Sequence, residues 1–244
     1  MSRKFYWVTI TKSYLSAFAL LIIVLFLLSL PSSYQLGVLT ATLVSTSVEY
    51  DIVLDAGHGG IDSGGIGAGD VYEKDLVLDI VLRMRDILEG AGLKVGLTRD
   101  TDMDVTHLAK SKGTRHQRDL EGRFIALHSG KIGMSVHANT SKSSAEQGAI
   151  VFYRRNSYIG KQYATSVLEA IEQVQVLNHD YPVPRSNLML IKAKPPVVLV
   201  EVGFLTNPDD LAKLTDPDFR QSIAEALCKG IANFYAVYRS EQSE

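Results

Sequence analysis

Apolar and charged residues divide the chain into two unlike parts. Residues 14–30 (YLSAFALLIIVLFLLSL) carry no charge and are apolar on every helical face. This run of about 17 residues is near the minimum for a membrane-spanning helix and longer than an ordinary signal-peptide core. The basic residues Arg3, Lys4 and Lys12 precede it. The positive-inside rule then leaves the N-terminus in the cytoplasm and exports the remainder.

These features define three parts of the chain. We expect residues 1–30 to be an uncleaved signal anchor, because no clear cleavage site follows the apolar run. Residues 31–48 are uncharged and mildly polar, as expected of a linker. Residues 49–240 are long enough for one domain, which would be exported and held on the outer face of the cytoplasmic membrane.

Within residues 49–240, short apolar runs alternate with amphipathic segments. Apolar residues recur at helical spacing over 74–90, whereas 197–202 (VVLVEV) is the most β-branched run and should form the central strand. This alternation predicts an α/β domain with a largely parallel sheet. The predicted strands are 50–55, 94–99, 132–137, 149–153 and 197–202, and the predicted helices are 74–90, 119–129, about 157–177 and a C-terminal helix that begins at Pro217.

Four segments of this domain carry candidate catalytic residues. Strand ends deliver His58, His137 and Glu201, and Glu73 stands immediately before the first predicted helix. Ligands of open α/β sheets bind at the carboxyl ends of strands, so these side chains could meet there. Two histidines and one glutamate can bind zinc and leave a fourth position for water, and a second glutamate can accept the proton of that water.

Each of these residues also has a structural explanation. His58 could serve a glycine-rich turn, His137 could be a hydrogen-bonded core residue, and Glu73 could complement the dipole of a helix N-terminus. Glu201 is harder to explain in this way, since a carboxylate within VVLVEVGF is costly to bury without a partner. Sequence spacing does not determine the mutual geometry of the four.

Composition excludes several other classes of protein. The 25 basic and 27 acidic residues are balanced, and the pI of about 6.3 gives no reason to expect a nucleic-acid partner. The single cysteine, Cys228, cannot form an intrachain disulfide or a cysteine-rich zinc finger. It lies beside the apolar stripe of the C-terminal helix and is expected to be a packed residue.

The segments LDAGHGG, EKDL, SVHAN and VEVGFLTN together resemble the zinc-dependent N-acetylmuramoyl-L-alanine amidases of the amidase-3 family. The resemblance covers about residues 50–238. It implies a mixed α/β sheet flanked by helices, one Zn²⁺ ion per chain, and peptidoglycan as substrate. It also implies that His58, Glu73 and His137 are the metal ligands, that Glu201 is the catalytic residue, and that the enzyme hydrolyses the amide between N-acetylmuramic acid and L-alanine.

A finer resemblance concerns the biological role. A single N-terminal membrane segment, no wall-binding repeat, and the charged stretch at 100–118 are similar to the spore-cortex amidases of endospore formers. That subgroup implies a role in forming muramic-δ-lactam, on the membrane that surrounds the forespore. A vegetative autolytic role is the alternative. Without a wall-binding repeat, the anchor or an activating or positioning protein would bring the domain to its substrate.

Three further residues are candidates for substrate binding. Asn139 follows the second histidine by two positions, and Arg99 and Arg123 could bind a peptide carboxylate, although each arginine could equally form a structural ion pair. Two other classes of function stay open. Ser135 lies in a near match to the serine-hydrolase motif G-x-S-x-G, whose last glycine is replaced here by His137. A non-catalytic peptidoglycan-binding protein could also retain this fold.

Overall fold

The structure, a computed structural model, describes residues 49–242. The predicted signal anchor and linker lie outside this range. No helix in the described range is long and apolar enough to cross a membrane.

The described residues form an α/β domain around one mixed sheet. The strands are β1 (Tyr50–Ala56), β2 (Ile66–Gly67), β3 (Val71–Tyr72), β4 (Val95–Leu97), β5 (Gly130–Asn139), β6 (Ile150–Arg154), β7 (Val183–Arg185) and β8 (Val197–Phe204). The main sheet has the order β4-β1-β5-β8-β6-β7, and a short antiparallel hairpin pairs β2 with β3. Strands β4, β1, β5 and β8 run parallel, whereas β6 and β7 run in the opposite direction.

Helices cover both faces of the sheet. The α-helices are α1 (Glu73–Gly90), α2 (Arg115–Leu127), α3 (Tyr158–Ile171), α4 (Pro208–Thr215) and α5 (Pro217–Gln242). Successive side chains of a strand point to opposite faces. Ile52 and Leu54 of β1 therefore pack with α1, α3 and α5, whereas Val53 packs on the opposite face with Leu127 of α2. The predicted α/β class is confirmed, and β8 lies beside β5 at the middle of the sheet, as predicted.

Two predicted helix boundaries were wrong, and one helix was missed. Helix α2 begins four residues earlier than predicted, since Thr114 and Gln117 form a capping box before its first turn. Helix α3 ends at Ile171 rather than near residue 177. The sequence analysis missed α4, which Asn207 caps by accepting hydrogen bonds from the amides of Asp209 and Asp210.

The sheet brings three segments that carry candidate catalytic residues to one edge. The carboxyl ends of β1, β5 and β8 are adjacent because these strands are parallel neighbours. Asp55 pairs with Ser135, and His137 pairs with Glu201, so both pairs lie on the face that α2 covers. A register shift between His137 and Asn139 interrupts the pairing of β5 with β8 at this edge. The N-terminus of α1 brings Glu73 to the same place.

Candidate active site

The loop after β1 presents His58 through an unusual backbone conformation. His58 has a φ of 59°, and the following Gly59 and Gly60 have φ values of 129° and 61°. A histidine in the left-handed region is uncommon and is usually held there by its surroundings. The glycines that follow adopt such angles without strain from a side chain. The loop thus reverses tightly and turns the His58 imidazole toward α1.

Two imidazoles and a carboxylate converge at the edge of the sheet. Oε1 of Glu73 lies 3.1 Å from Nε2 of His58 and 2.9 Å from Nδ1 of His137. One ligand atom from each of the three residues lies within 4.8 Å of the other two. All three predicted ligands are therefore brought together, although 64 positions separate Glu73 from His137 along the chain. This cluster could hold a metal ion.

Glycines make room for the cluster. A Cβ atom on Gly57 would lie 2.3 Å from Cε1 of His137, and one on Gly64 would lie 2.5 Å from Oε2 of Glu73. Real Cβ atoms do not approach so closely, so a side chain at either position would displace a member of the cluster. The glycines of this region therefore have two roles: they allow the backbone to turn, and they leave space for the side chains of the cluster.

Backbone amides fix the Glu73 carboxylate. Its Oε2 accepts a hydrogen bond of 2.7 Å from the amide of Gly65, and Oε1 accepts one of 3.1 Å from the amide of Ala138. Burial raises the pKa of Glu73, but its hydrogen bonds with His137 and His58 outweigh this effect and hold the pKa well below its ordinary value. Glu73 is therefore an anion of fixed orientation.

Asp62 orients His58, a role that the sequence analysis missed. Its Oδ1 lies 3.1 Å from Nδ1 of His58, whereas Nε2 of the same ring faces Glu73. A carboxylate on the outer nitrogen of a metal-binding histidine fixes the tautomer and the ring orientation. No sequence pattern indicated this role, because a spacing of four residues places side chains together only on a helix, and these two residues lie in a loop.

Glu201 stands next to the cluster with an unsatisfied carboxylate oxygen. It pairs in register with His137 on the neighbouring strand, so the two side chains share a face of the sheet. Its Oε2 is shielded from solvent and has no hydrogen-bond partner among residues 49–242. Burial raises the pKa of Glu201 to about 7, although the charge of His137 opposes the rise and that of Glu73 adds to it.

The electrostatics of the cluster suit a cation. Burial lowers the pKa of His137, but the hydrogen bond with Glu73 and the negative charge of Glu201 outweigh it and raise the pKa to about 8. The pKa of His58 is also raised, because Glu73 more than compensates for burial. Positive charge is thus stabilised between two carboxylates. The donor set, two imidazole nitrogens and a carboxylate oxygen, is the set that catalytic zinc sites use, so the residues fit this ion.

The three candidate substrate-binding residues occupy different environments. Asn139 ends β5 half-buried at the site, and its side-chain oxygen accepts a hydrogen bond from the amide of Thr140. Its role in substrate binding stays a prediction. Arg99 and Arg123 are each only 3% exposed and lie beneath the His58 loop, where they donate to backbone carbonyls. This burial does not support the prediction that either arginine binds a substrate carboxylate.

Ser135 is unsuited to nucleophilic catalysis. It is fully buried in β5, and its Oγ donates a hydrogen bond of 2.6 Å to Oδ2 of Asp55. A serine nucleophile needs an exposed hydroxyl on a sharp turn after a strand. The structure therefore argues against the serine-hydrolase alternative, and Ser135 instead belongs to a buried polar network around Asp55.

Comparison with known proteins identifies the family. The sequence profile of the family described as N-acetylmuramoyl-L-alanine amidase matches residues 52–233. This chain belongs to that family. The match contains all four predicted catalytic residues, and the resemblance inferred from the sequence motifs is confirmed.

Relatives and solved structures extend this comparison. The amidase is 31% identical over 189 residues to the germination-specific N-acetylmuramoyl-L-alanine amidase of Bacillus subtilis, covering 75% of this chain and 79% of the relative. The structure of the CwlD amidase from Clostridioides difficile, in complex with the GerS lipoprotein, matches with a TM-score of 0.69 and 32% identity, covering 76% of this chain and 98% of that one. The catalytic domain of CwlV from Bacillus (Paenibacillus) polymyxa var. colistinus gives a TM-score of 0.63 and 29% identity over 76% and 98% of the two chains.

The fold of the domain is the one expected for this family. The amidase has the mixed α/β sheet flanked by helices that the resemblance implied. It is an N-acetylmuramoyl-L-alanine amidase, which makes peptidoglycan its substrate.

Proposed function

We propose that this amidase uses one Zn²⁺ ion, held by His58, Glu73 and His137, and that Glu201 is its general base. The observation that carries the proposal is the convergence of three ligand atoms within 4.8 Å of one another, beside the unpartnered Oε2 of Glu201. Three protein ligands leave one position of a tetrahedral site open, as hydrolytic zinc sites require.

Each residue then has a defined task. Zinc, when bound, supplies Lewis acidity that brings the pKa of water toward 7 and polarises a carbonyl group. Oε2 of Glu201 accepts a proton from the attacking water, whose oxygen adds to the carbonyl carbon of the lactyl group. The same carboxyl then donates the proton to the nitrogen of L-alanine as the carbon–nitrogen bond breaks. In this proposal Asp62 holds the His58 ring, and Asn139 binds the substrate.

Burial next to the cluster fits Glu201 for this exchange because it raises the pKa of the carboxyl group. A general base is most effective when its pKa is close to the working pH, because it must accept a proton and then release it. In the metal-free protein burial raises the pKa of Glu201 toward this range, and no hydrogen bond from residues 49–242 occupies its Oε2 atom. The carboxylate is therefore free to bind water and later the leaving amine.

The proposed role is spore-cortex maturation, in which removal of the stem peptide prepares muramic-δ-lactam formation. Support comes from a relative named as germination-specific and from the similarity to the CwlD amidase. A vegetative wall-remodelling role is the alternative. We further propose that residues 1–30 anchor the amidase on the outer face of the cytoplasmic membrane. An activating or positioning protein is also proposed, since CwlD was solved in complex with a lipoprotein.

The chemical proposal is tested by incubating the purified protein with peptidoglycan and zinc and reading the products by mass spectrometry. New L-alanine amino termini on an intact glycan are expected, and a chelator should abolish them. Glu201→Gln should bind zinc normally and lose about 10²–10⁴-fold in rate. Glu89→Gln, at an exposed position near the end of α1, is the matched control. Full activity of Glu201→Gln would contradict the assignment of the base.

The biological role is tested by complementation. The full chain is expressed in Bacillus subtilis that lacks its germination-specific amidase, and muramic-δ-lactam in the spore cortex is measured. Restored lactam would support the cortex role, and the Glu201→Gln variant should not restore it. Active protein that leaves the cortex free of lactam would favour the vegetative alternative.

A further inference from the structure

We propose that Arg99 and Arg123 are positioning residues that set the spacing of His58 and Glu73 by holding their backbone from beneath. The inference rests on the proposed function, because it concerns the geometry of the proposed zinc ligands. Neither guanidinium lies at the surface of the site, and each acts through the chain that bears the ligands.

Arg99 joins the two ligand-bearing segments directly. From the end of β4, its Nε donates to the carbonyl of Ala56 at 2.9 Å. Its NH2 group donates to the carbonyls of Gly57 at 2.9 Å and Lys74 at 2.7 Å. Gly57 precedes His58, and Lys74 follows Glu73. One planar group therefore ties the residue beside the first ligand to the residue beside the second.

Arg123 holds the other side of the same loop. It projects from α2, and its NH1 group donates to the carbonyl of Ala56 at 2.6 Å. Its NH2 group donates to the carbonyl of His58 itself. Asp119 and Asp55 accept from Nε and NH1 at 2.8 Å and 2.7 Å, so carboxylates fix the guanidinium on two sides.

Three carbonyls of the His58 loop depend on these contacts. The tight turn directs the carbonyls of Ala56, Gly57 and His58 into the protein, away from the ligand atoms. Buried carbonyls without hydrogen-bond donors destabilise a loop. A guanidinium offers five donors in a rigid plane, whereas a lysine ammonium cannot reach several carbonyls in the same geometry.

Asp55 allows two arginines to lie side by side beneath the loop. Its Oδ1 accepts from Arg123 and from the hydroxyl of Thr98, and its Oδ2 accepts from Ser135. It is fully buried and therefore supplies its negative charge without screening by water. The network connects the ends of β1, β4 and β5 with α2, which makes the loop part of the rigid core.

The experiment compares Arg99→Lys and Arg123→Lys with Arg220→Lys as a matched control. Arg220 also joins a carboxylate, that of Asp79, to a backbone carbonyl, that of Leu214, but it does not contact the His58 loop. The readouts are the zinc dissociation constant by chelator competition, the absorption spectrum of the Co²⁺-substituted protein, and thermal unfolding. We expect both test variants to bind zinc about 10–100-fold more weakly, with an altered Co²⁺ spectrum, and the control to match the wild type.

The outcomes separate the inference from the proposed function. A wild-type protein that binds no zinc would refute the proposed function. Suppose that the wild type binds zinc and that both variants fold and keep its zinc affinity and Co²⁺ spectrum. This result would refute only the positioning role. If Arg123→Lys does not fold, the Arg99→Lys variant decides the question. Arg99 donates to the backbone carbonyls of Ala56, Gly57 and Lys74, so its replacement removes none of these hydrogen bonds from a carboxylate. Loss of folding in both variants would also overturn the inference, because it would assign the arginines to the fold alone.

Discussion

Replacing Gly57 with alanine tests whether the position of His137 determines metal binding. The added Cβ would lie 2.3 Å from Cε1, 2.6 Å from Nδ1 and 2.7 Å from Nε2 of His137. Ordinary contacts between such atoms are about 3.5 Å, so the ring must withdraw by roughly 1 Å. Metal–ligand distances tolerate about 0.2 Å. Gly57 does not have a positive φ, so alanine strains the site and not the backbone.

This displacement is several times the tolerance of a metal ligand, so His137 should be lost as an effective one. We expect zinc affinity to fall at least about 100-fold, which corresponds to about 2.8 kcal/mol. The fold should survive, because overpacking at one position destabilises by about 1–3 kcal/mol. Chelator competition measures the affinity, and circular dichroism with thermal unfolding establishes that the variant is folded.

Gly90→Ala is the matched control for this variant. Gly90 ends α1, does not have a positive φ, and an added Cβ would meet no atom within 4 Å. This variant should bind zinc like the wild type and unfold at the same or a slightly higher temperature. A folded Gly57→Ala protein with wild-type zinc affinity would refute the reasoning, since it would mean that His137 moves freely or does not bind the ion.

Three further predictions follow from the buried network and the metal site. The Ser135→Ala variant should keep its activity and lose about 1.5–3 kcal/mol of stability, because it lacks the hydrogen bond to the Asp55 carboxylate. A fall of more than about 1000-fold in its rate would instead indicate that Ser135 is a nucleophile. Although burial raises the pKa of Asp55, Arg123 and its other partners lower it below the ordinary value. Its carboxylate therefore stabilises the fold above about pH 4, and this stabilisation is lost as the pH falls through the lower folded-state pKa. In urea titrations with chelator present, Asp55→Asn should show a shallower decline of the free energy of unfolding below pH 5, and an unchanged decline would contradict the assignment. Zinc at 100 times its dissociation constant should stabilise the wild type by about 2.7 kcal/mol, and an unfolding temperature insensitive to zinc and chelator would argue against the site.

The pattern of apolar residues was sufficient for the fold class. Every strand or helix must bury its apolar residues, whatever the arrangement of the other segments. The apolar run at 197–202 and the helical stripe at 74–90 therefore indicate the element type without knowledge of the tertiary structure. Boundaries such as the start of α2 depended on Thr114, whose capping box is a local side-chain effect. The reversed direction of β6 and β7 had no signal in the periodicity, because parallel and antiparallel pairing bury the same residues.

For the candidate site, the sequence indicated the chemistry of the residues, and the structure was needed for their positions. The sequence by itself determined which residue types were unusual: a histidine among glycines at His58, and a carboxylate inside the apolar strand at Glu201. Only the tertiary structure decided that Glu73 and His137 join them, since the packing of α1 on the parallel strands brings together residues that are remote along the chain. It also decided that Arg99 and Arg123 hold the loop and do not face solvent. A guanidinium can bind a substrate carboxylate or a buried backbone carbonyl equally well, and burial, which depends on the packing of distant segments, selects between them.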